Sequence, residues 1–134
     1  MNDWNRQIIE EFRANGGKVA QFGDAPMVIL HTIGARSGQL REIPLVAFVD
    51  GDRLVVFASP AGAPKPPDWY HNLVANPEIE VEYGTERFNV RVTELTGGER
   101  DDYYGRQVDL MPQFGEYETK AGDRVIPVLA MDRI

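Results

Sequence analysis

The 134-residue chain contains no cysteine. Disulfides, thiolate metal sites and cysteine nucleophiles are excluded together, and the absence fits a reducing compartment. Histidine is almost as scarce: His31 and His71 stand far apart, and neither sits in a metal-binding spacing such as H-E-x-x-H. The expectation is therefore no metal, with His31 as a structural residue. Positive charge is also in deficit. Fourteen Lys and Arg against 21 Asp and Glu leave a net charge of −7, which argues against nucleic acid, a ligand that needs a broad basic face. No apolar run approaches the length of a membrane span and no signal-peptide pattern opens the chain, so a soluble cytoplasmic protein is expected. Internal repeats and low-complexity tracts are missing. So are a Walker loop and a nucleophile elbow, since Gly34-Ala35-Arg36-Ser37-Gly38 spaces its serine wrongly for G-x-S-x-G.

What is present is an ordinary globular balance, 43% hydrophobic and 26% charged, in a length that suits a single domain over residues 1–134. Residues 3–15 read as a helix: Asn2 or Asp3 can cap it, Trp4, Ile8 and Phe12 recur every four residues, and Gly16-Gly17 stops it. Such a helix packs on a core, covers a ligand site or lies on a membrane; its Glu10-Glu11 pair disfavours the last. Residues 26–32, 42–49 and 53–59 read as strands, with Asp50-Gly51-Asp52 as a hairpin turn. A Pro/Gly-rich loop over 60–67 precedes a short helix from Asp68 to Ala75, closed by Asn76-Pro77. Strands follow at 78–83 and 86–95 around Gly84, then a helix from Gly97 to Met111, a Pro/Gly loop, and a closing strand at 124–131. Short strands joined by tight turns favour an antiparallel barrel, because parallel pairs need crossover helices.

Three constellations can carry chemistry. The first is the turn that holds Gly34, Arg36, Ser37, Gly38 and Arg41 between two apolar runs. Glycine-freed backbone N–H groups, two guanidiniums and a hydroxyl suit a small anion; the alternative is a solvated loop whose charge is met by a neighbour such as Glu42. The second runs from Ala58-Ser59 through Lys65 to Trp69, Tyr70, His71 and Asn72. Prolines 60, 64, 66 and 67 stiffen that loop, and the aromatic pair offers flat surfaces for a planar ligand or, equally, packs its helix onto the barrel. The third is Tyr103-Tyr104 with Met111, Phe114 and Tyr117, able to line an apolar pocket or simply to be buried.

Together these segments resemble the deazaflavin-dependent nitroreductase family of actinobacteria. The likeness runs from Asn15-Gly16-Gly17-Lys18 through the turn Thr32 to Leu45, Asp50-Gly51-Asp52, Ala58-Ser59, Pro64-Lys65, Trp69 to Leu73 and Ala75-Asn76-Pro77 to Arg124-Val125-Ile126-Pro127. It implies an α+β, mainly β fold: a split β-barrel, mostly antiparallel, with flanking helices, an N-terminal helix over 1–17 and the barrel over 26–134. It implies coenzyme F420, whose phosphate and acidic tail would fall on Arg36, Ser37, Gly38 and Arg41 with Lys65. The deazaflavin would run past Ile43, Pro44 and Leu45, beside Ala58, Ser59, Trp69, Tyr70, His71 and Asn72. The activity implied is an F420-dependent reductase that passes a hydride to a quinone, activated alkene or nitroaromatic, with Ser59 or Tyr117 as proton donor and Met111, Phe114 and Tyr117 as substrate wall. That wall replaces a three-tyrosine one in the relative that reduces nitroimidazole prodrugs, and Ala35 stands where the family often has a basic residue. Other readings are an FMN-dependent reductase on the same barrel, or a non-catalytic carrier of F420 or another flat ligand, as monomer or homodimer. The alternative to a free cytoplasmic protein is one held at the inner face of the membrane by its N-terminal helix.

Overall fold

A computed structural model describes residues 3–59, 67–121 and 125–134. Asn2, Pro60, Pro64, Lys65, Pro66 and Arg124 lie outside the described residues. The chain forms helix α1 (Asp3–Ala14) and a 3-10 turn (Ala20–Phe22). The strands β1 (Met27–Ile33), β2 (Leu40–Val46), β3 (Phe48–Asp50) and β4 (Arg53–Phe57) follow. After them come α2 (Asp68–Ala75), β5 (Glu78–Tyr83), β6 (Glu86–Leu95), α3 (Gly97–Leu110), α4 (Gln113–Ala121) and β7 (Val128–Arg133). Among the described residues no helix is long and apolar enough to cross a membrane.

The strands make one seven-stranded sheet in the order β2-β1-β5-β6-β7-β4-β3, with every pair antiparallel. Its two edge strands, β2 and β3, are consecutive in the chain and separated by Ala47 alone. A flat sheet cannot satisfy that connection, so the sheet curls until its edges meet, and the result is a split barrel. The single strand expected over 42–49 is accordingly two strands. Ala47 donates its N–H to Pro26 O at 2.9 Å, and the chain changes partner there, from β1 to β4. The closing strand falls at Val128–Arg133 rather than 124–131, and the expected loop after Met111 is helical as α4.

Alternation along the strands sorts side chains to two faces. Val28, Leu30, Leu54, Val56, Ile79, Val81, Val90, Val92, Leu129 and Met131 fill the interior, where α2 adds Trp69 and Leu73. The intervening residues face outward beneath helices. Val55, Phe57, Val128 and Ala130 pack against Tyr103 and Tyr104 of α3 and Phe114 of α4. Met27 and Ile29 pack against Ile8, Ile9 and Phe12 of α1. Trp4, expected on the same stripe, is 55% exposed, so the buried face of α1 begins one turn later. Tyr104 donates its hydroxyl to Phe114 O at 2.7 Å, which ties α3 to α4, and Arg100 reaches Ile126 O, which ties α3 to the segment leading into β7.

A polar network, buried at His31 and Glu82, completes the seating of α1. Arg13 donates to both oxygens of Glu82, at 3.0 and 2.7 Å, and to Glu42 at 2.6 Å. His31 Nε2 lies 2.7 Å from Glu82. Because that carboxylate is ionised, the imidazole is the donor. Ligand atoms of His31, Glu42 and Glu82 lie within 4.8 Å of one another, a spacing a metal ion could use, but the Arg13 guanidinium is the cation seated on both carboxylates.

Two measurements check this packing. Phe12 is 1% exposed, and Phe12→Ala is expected to lower the unfolding free energy by about 3–5 kcal/mol in urea titrations. The Arg13 bonds, with a smaller contribution from His31, hold the Glu82 carboxyl at about 2, against an ordinary value of 4.5. A depressed folded pKa stabilises the fold fully above the unfolded value, and that contribution is lost as pH falls toward the folded one. Over the whole window the effect is on the order of 3 kcal/mol. Stability measured at about pH 5 and about pH 3 should therefore fall more in the parent than in Glu82→Gln; equal losses would contradict the assignment.

Candidate functional site

Antiparallel pairing of Ile33 with Leu40 leaves residues 34–39 to turn the chain between β1 and β2. Gly34 N–H donates to Gln39 O at 2.8 Å and Gly38 N–H to Gly34 O at 2.9 Å, with Gly38 at a φ of 69° that favours glycine. Ser37 Oγ accepts from Gln39 N–H at 3.2 Å, and a Cβ on Gly34 would fall 2.5 Å from that oxygen, so a larger residue there would displace the Ser37 hydroxyl from this bond. Ala35 N–H donates to Asn72 Oδ1 at 3.0 Å. Among the described residues, the backbone N–H groups of Arg36 and Ser37 alone in this turn have no acceptor. An anion finds two free amides there.

Helix α2 faces the turn. Trp69 and Leu73 sink into the interior, Asn72 meets Ala35, and Asn76 donates its side-chain amide to Ile33 O at 3.3 Å. A cleft of about 770 Å³ opens between them. Its turn side presents Ala35, Arg36, Ser37, Arg41 and Ile43; its helix side presents Asp68, Trp69, His71 and Asn72.

Arg36 and Arg41 differ from the other described arginines. Arg6, Arg13, Arg53, Arg87, Arg91, Arg100, Arg106 and Arg133 each pair with a carboxylate. Among the described residues, Arg36 and Arg41 pair with none. Glu42, the neighbour that could have met them, is turned to Arg13. In a chain of net charge −7, two unneutralised guanidiniums concentrate positive potential on one cleft.

The structure thus brings Arg36, Ser37, Arg41, Ile43, Trp69, His71 and Asn72 together around one cleft. Lys65 lies outside the described residues. Pro44 and Leu45 continue β2, where an edge strand tolerates the missing proline N–H. Ala58 and Ser59, both buried, end the run of β4, with Ala58 N–H on Pro127 O at 3.0 Å. Tyr70 turns aside and donates its hydroxyl to Glu94 at 2.6 Å; that bond pushes its pKa up to about 12. Met111, Phe114 and Tyr117 belong to the outward-facing cluster under α3 and α4 and are not among the residues that line the cleft. Phe114 meets Phe57 and Tyr117 edge-to-face at 5.6 and 5.1 Å. Asp68 lines the cleft although nothing but its helix-starting position set it apart in the sequence. The tethers made by Asn72 and Asn76 were signalled only by their four-residue spacing on one helix face.

The donor set fits a planar, phosphate-bearing ligand, and comparison with known proteins identifies the class. The profile of a family described as F420H(2)-dependent quinone reductase matches residues 4–132. An F420H(2)-dependent quinone reductase of Mycobacterium tuberculosis is 33% identical over 129 residues, spanning 91% of this chain and 85% of that protein. Among solved structures, the F420-H2 dependent reductase FDR-A is similar with a TM-score of 0.73 and 37% identity, over 80% of this chain and 94% of its own. A structure described as a domain-swapped dimer is similar with a TM-score of 0.75 and 34% identity, over 97% of this chain and 98% of its own. The chain belongs to the F420H(2)-dependent quinone reductase family, oxidoreductases whose reductant is reduced coenzyme F420.

Proposed function

We propose that the cleft between the β1–β2 turn and α2 holds F420 by its phosphate and acidic tail. The deazaflavin then lies along Ile43, Pro44 and Leu45, and a small quinone is reduced at its exposed face. The observation that carries this reading is the pair of unneutralised guanidiniums, Arg36 and Arg41, beside two free backbone amides. The volume, about 770 Å³, also suits a cofactor, since such sites run from roughly 300 to 1,000 Å³.

When bound, reduced F420 supplies two electrons and a proton as a hydride equivalent, and the chemistry is the cofactor's own. The chain's residues do the rest. Arg36, Arg41 and Lys65 neutralise the tail, and Ser37 adds a hydroxyl. Trp69, held in the interior by its neighbours, gives the ring a fixed wall. A quinone that accepts a hydride needs one further proton to become the hydroquinone; Ser59 or solvent provides it. Hydride transfer from the reduced coenzyme needs no strong general base in the protein. Activated alkenes and nitroaromatics are electrophiles of the same kind. Whether this chain also pairs with a second copy is part of the same proposal, on the example of the relative described as a domain-swapped dimer.

The test is a fluorescence titration of F420 into the parent and into Arg36→Ala/Arg41→Ala. Two lost charge-assisted bonds, at about 1.5 kcal/mol each, should weaken binding by about 3 kcal/mol, more than 100-fold in Kd. Equal affinity in the two proteins would overturn the proposal.

A further inference from the structure

We propose that Asn72 is a positioning residue: it acts on the cofactor through the Arg36–Ser37 turn rather than by touching the ring. This rests on the reading of the cleft just given and assigns a role inside it. The resemblance places Asn72 among the residues beside F420, but its Oδ1 is already engaged, 3.0 Å from Ala35 N–H, and the residue is 9% exposed. The turn's other bonds are internal. Gly34 and Gly38 close it backbone to backbone, and Ser37 Oγ takes Gln39 N–H. Asn72 is the one side chain outside the turn that, among the described residues, hydrogen-bonds to a residue between 34 and 39. It acts at Ala35, immediately before the residue whose guanidinium and N–H are both free.

The geometry of α2 makes this a rigid coupling. Asn72 and Asn76 lie one turn apart and meet Ala35 and Ile33, so the chain of α2 and its C-cap holds the end of β1 through Asn76 and the turn itself through Asn72. Leu73, 1% exposed, anchors the same helix in the barrel interior, and Trp69 stands on the cleft one turn earlier. The surface that would meet the ring and the turn that would meet the phosphate are therefore held at a fixed separation by one helix. Without the Asn72 bond the turn keeps its internal shape and loses its placement relative to Trp69. A ligand that spans both places loses affinity, whereas one that reaches only the Trp69 side does not.

The experiment titrates four proteins, the parent, Asn72→Ala, Arg36→Ala and the double variant, with F420 and with a deazaflavin that lacks the phosphate and tail. Asn72→Ala is expected to weaken F420 binding about 10-fold and to leave the truncated deazaflavin within about 2-fold, because a single neutral hydrogen bond is at stake. In the Arg36→Ala background the same change should cost less than about 3-fold, since both substitutions remove one shared contact. Steady-state kinetics should show the loss in KM for reduced F420, with kcat unchanged. If Asn72→Ala does not fold, Asn72→Ser, too short to reach Ala35, carries the same comparison. Equal loss for both ligands, or effects that multiply in the double variant, would overturn the assignment. Unchanged F420 binding by Arg36→Ala would instead overturn the reading of the cleft on which it rests. Unchanged binding by Asn72→Ala beside a weakened Arg36→Ala would overturn the positioning role alone.

Discussion

One residue, Ala47, stands between the two strands at opposite ends of the sheet. Everything else in the architecture accommodates that joint. The sheet must curl to bring β2 and β3 to a common corner, and a curled sheet has an inside and an outside. The inside is filled by one alternating set of Val, Ile and Leu side chains and by Trp69 and Leu73 of α2. The outside is covered in two places, by α1 over β1 and by α3 and α4 over β4 and β7. Because α2 contributes to the interior and also bonds to residues 33 and 35, it lies where β1 leaves the sheet, and the cleft forms there.

The charges divide along the same lines. Most arginines face a carboxylate across the surface, pairs that are individually worth at most about 1 kcal/mol. Their consequence here is negative: they leave few uncommitted cations on an acidic molecule, and the two uncommitted arginines among the described residues share the cleft. A family that uses an anionic, planar reductant needs this combination: charge to hold the tail, a rigid wall for the ring, and an open side for the electrophile. The protein contributes binding and orientation, and the coenzyme contributes reactivity.

Much of this was legible in the sequence. The alternation of 78–83 and 86–95, with Gly84 between them, placed β5 and β6 where they are found, and Asn76-Pro77 closed α2. The break at Ala47 was not legible, because a change of strand partner is a tertiary event within a uniformly apolar run. Nor was α4: Gly115 lowers its helix propensity, and its formation depends on burying Phe114 against Phe57 and Tyr104. At the site, glycines and charges drew attention to the turn, and an aromatic run drew it to α2. Which arginines would be free was hidden. Arg41 and Glu42 are adjacent in sequence, but successive side chains on a strand point to opposite faces, so Glu42 serves Arg13 of α1 and leaves Arg41 on the cleft. Met111, Phe114 and Tyr117 group together with α3 and α4, apart from the residues that line the cleft.

The most direct test of the account is a fluorescence titration of the purified protein with F420 and, in parallel, with FMN. The account predicts saturable binding of F420 at micromolar concentration or below and a clear preference over FMN, whose single phosphate lacks the extended acidic tail that the paired guanidiniums would meet. Preference for FMN would keep the barrel and change the chemistry. Binding of neither would contradict the central claim that the free guanidiniums of Arg36 and Arg41 are there to receive this coenzyme.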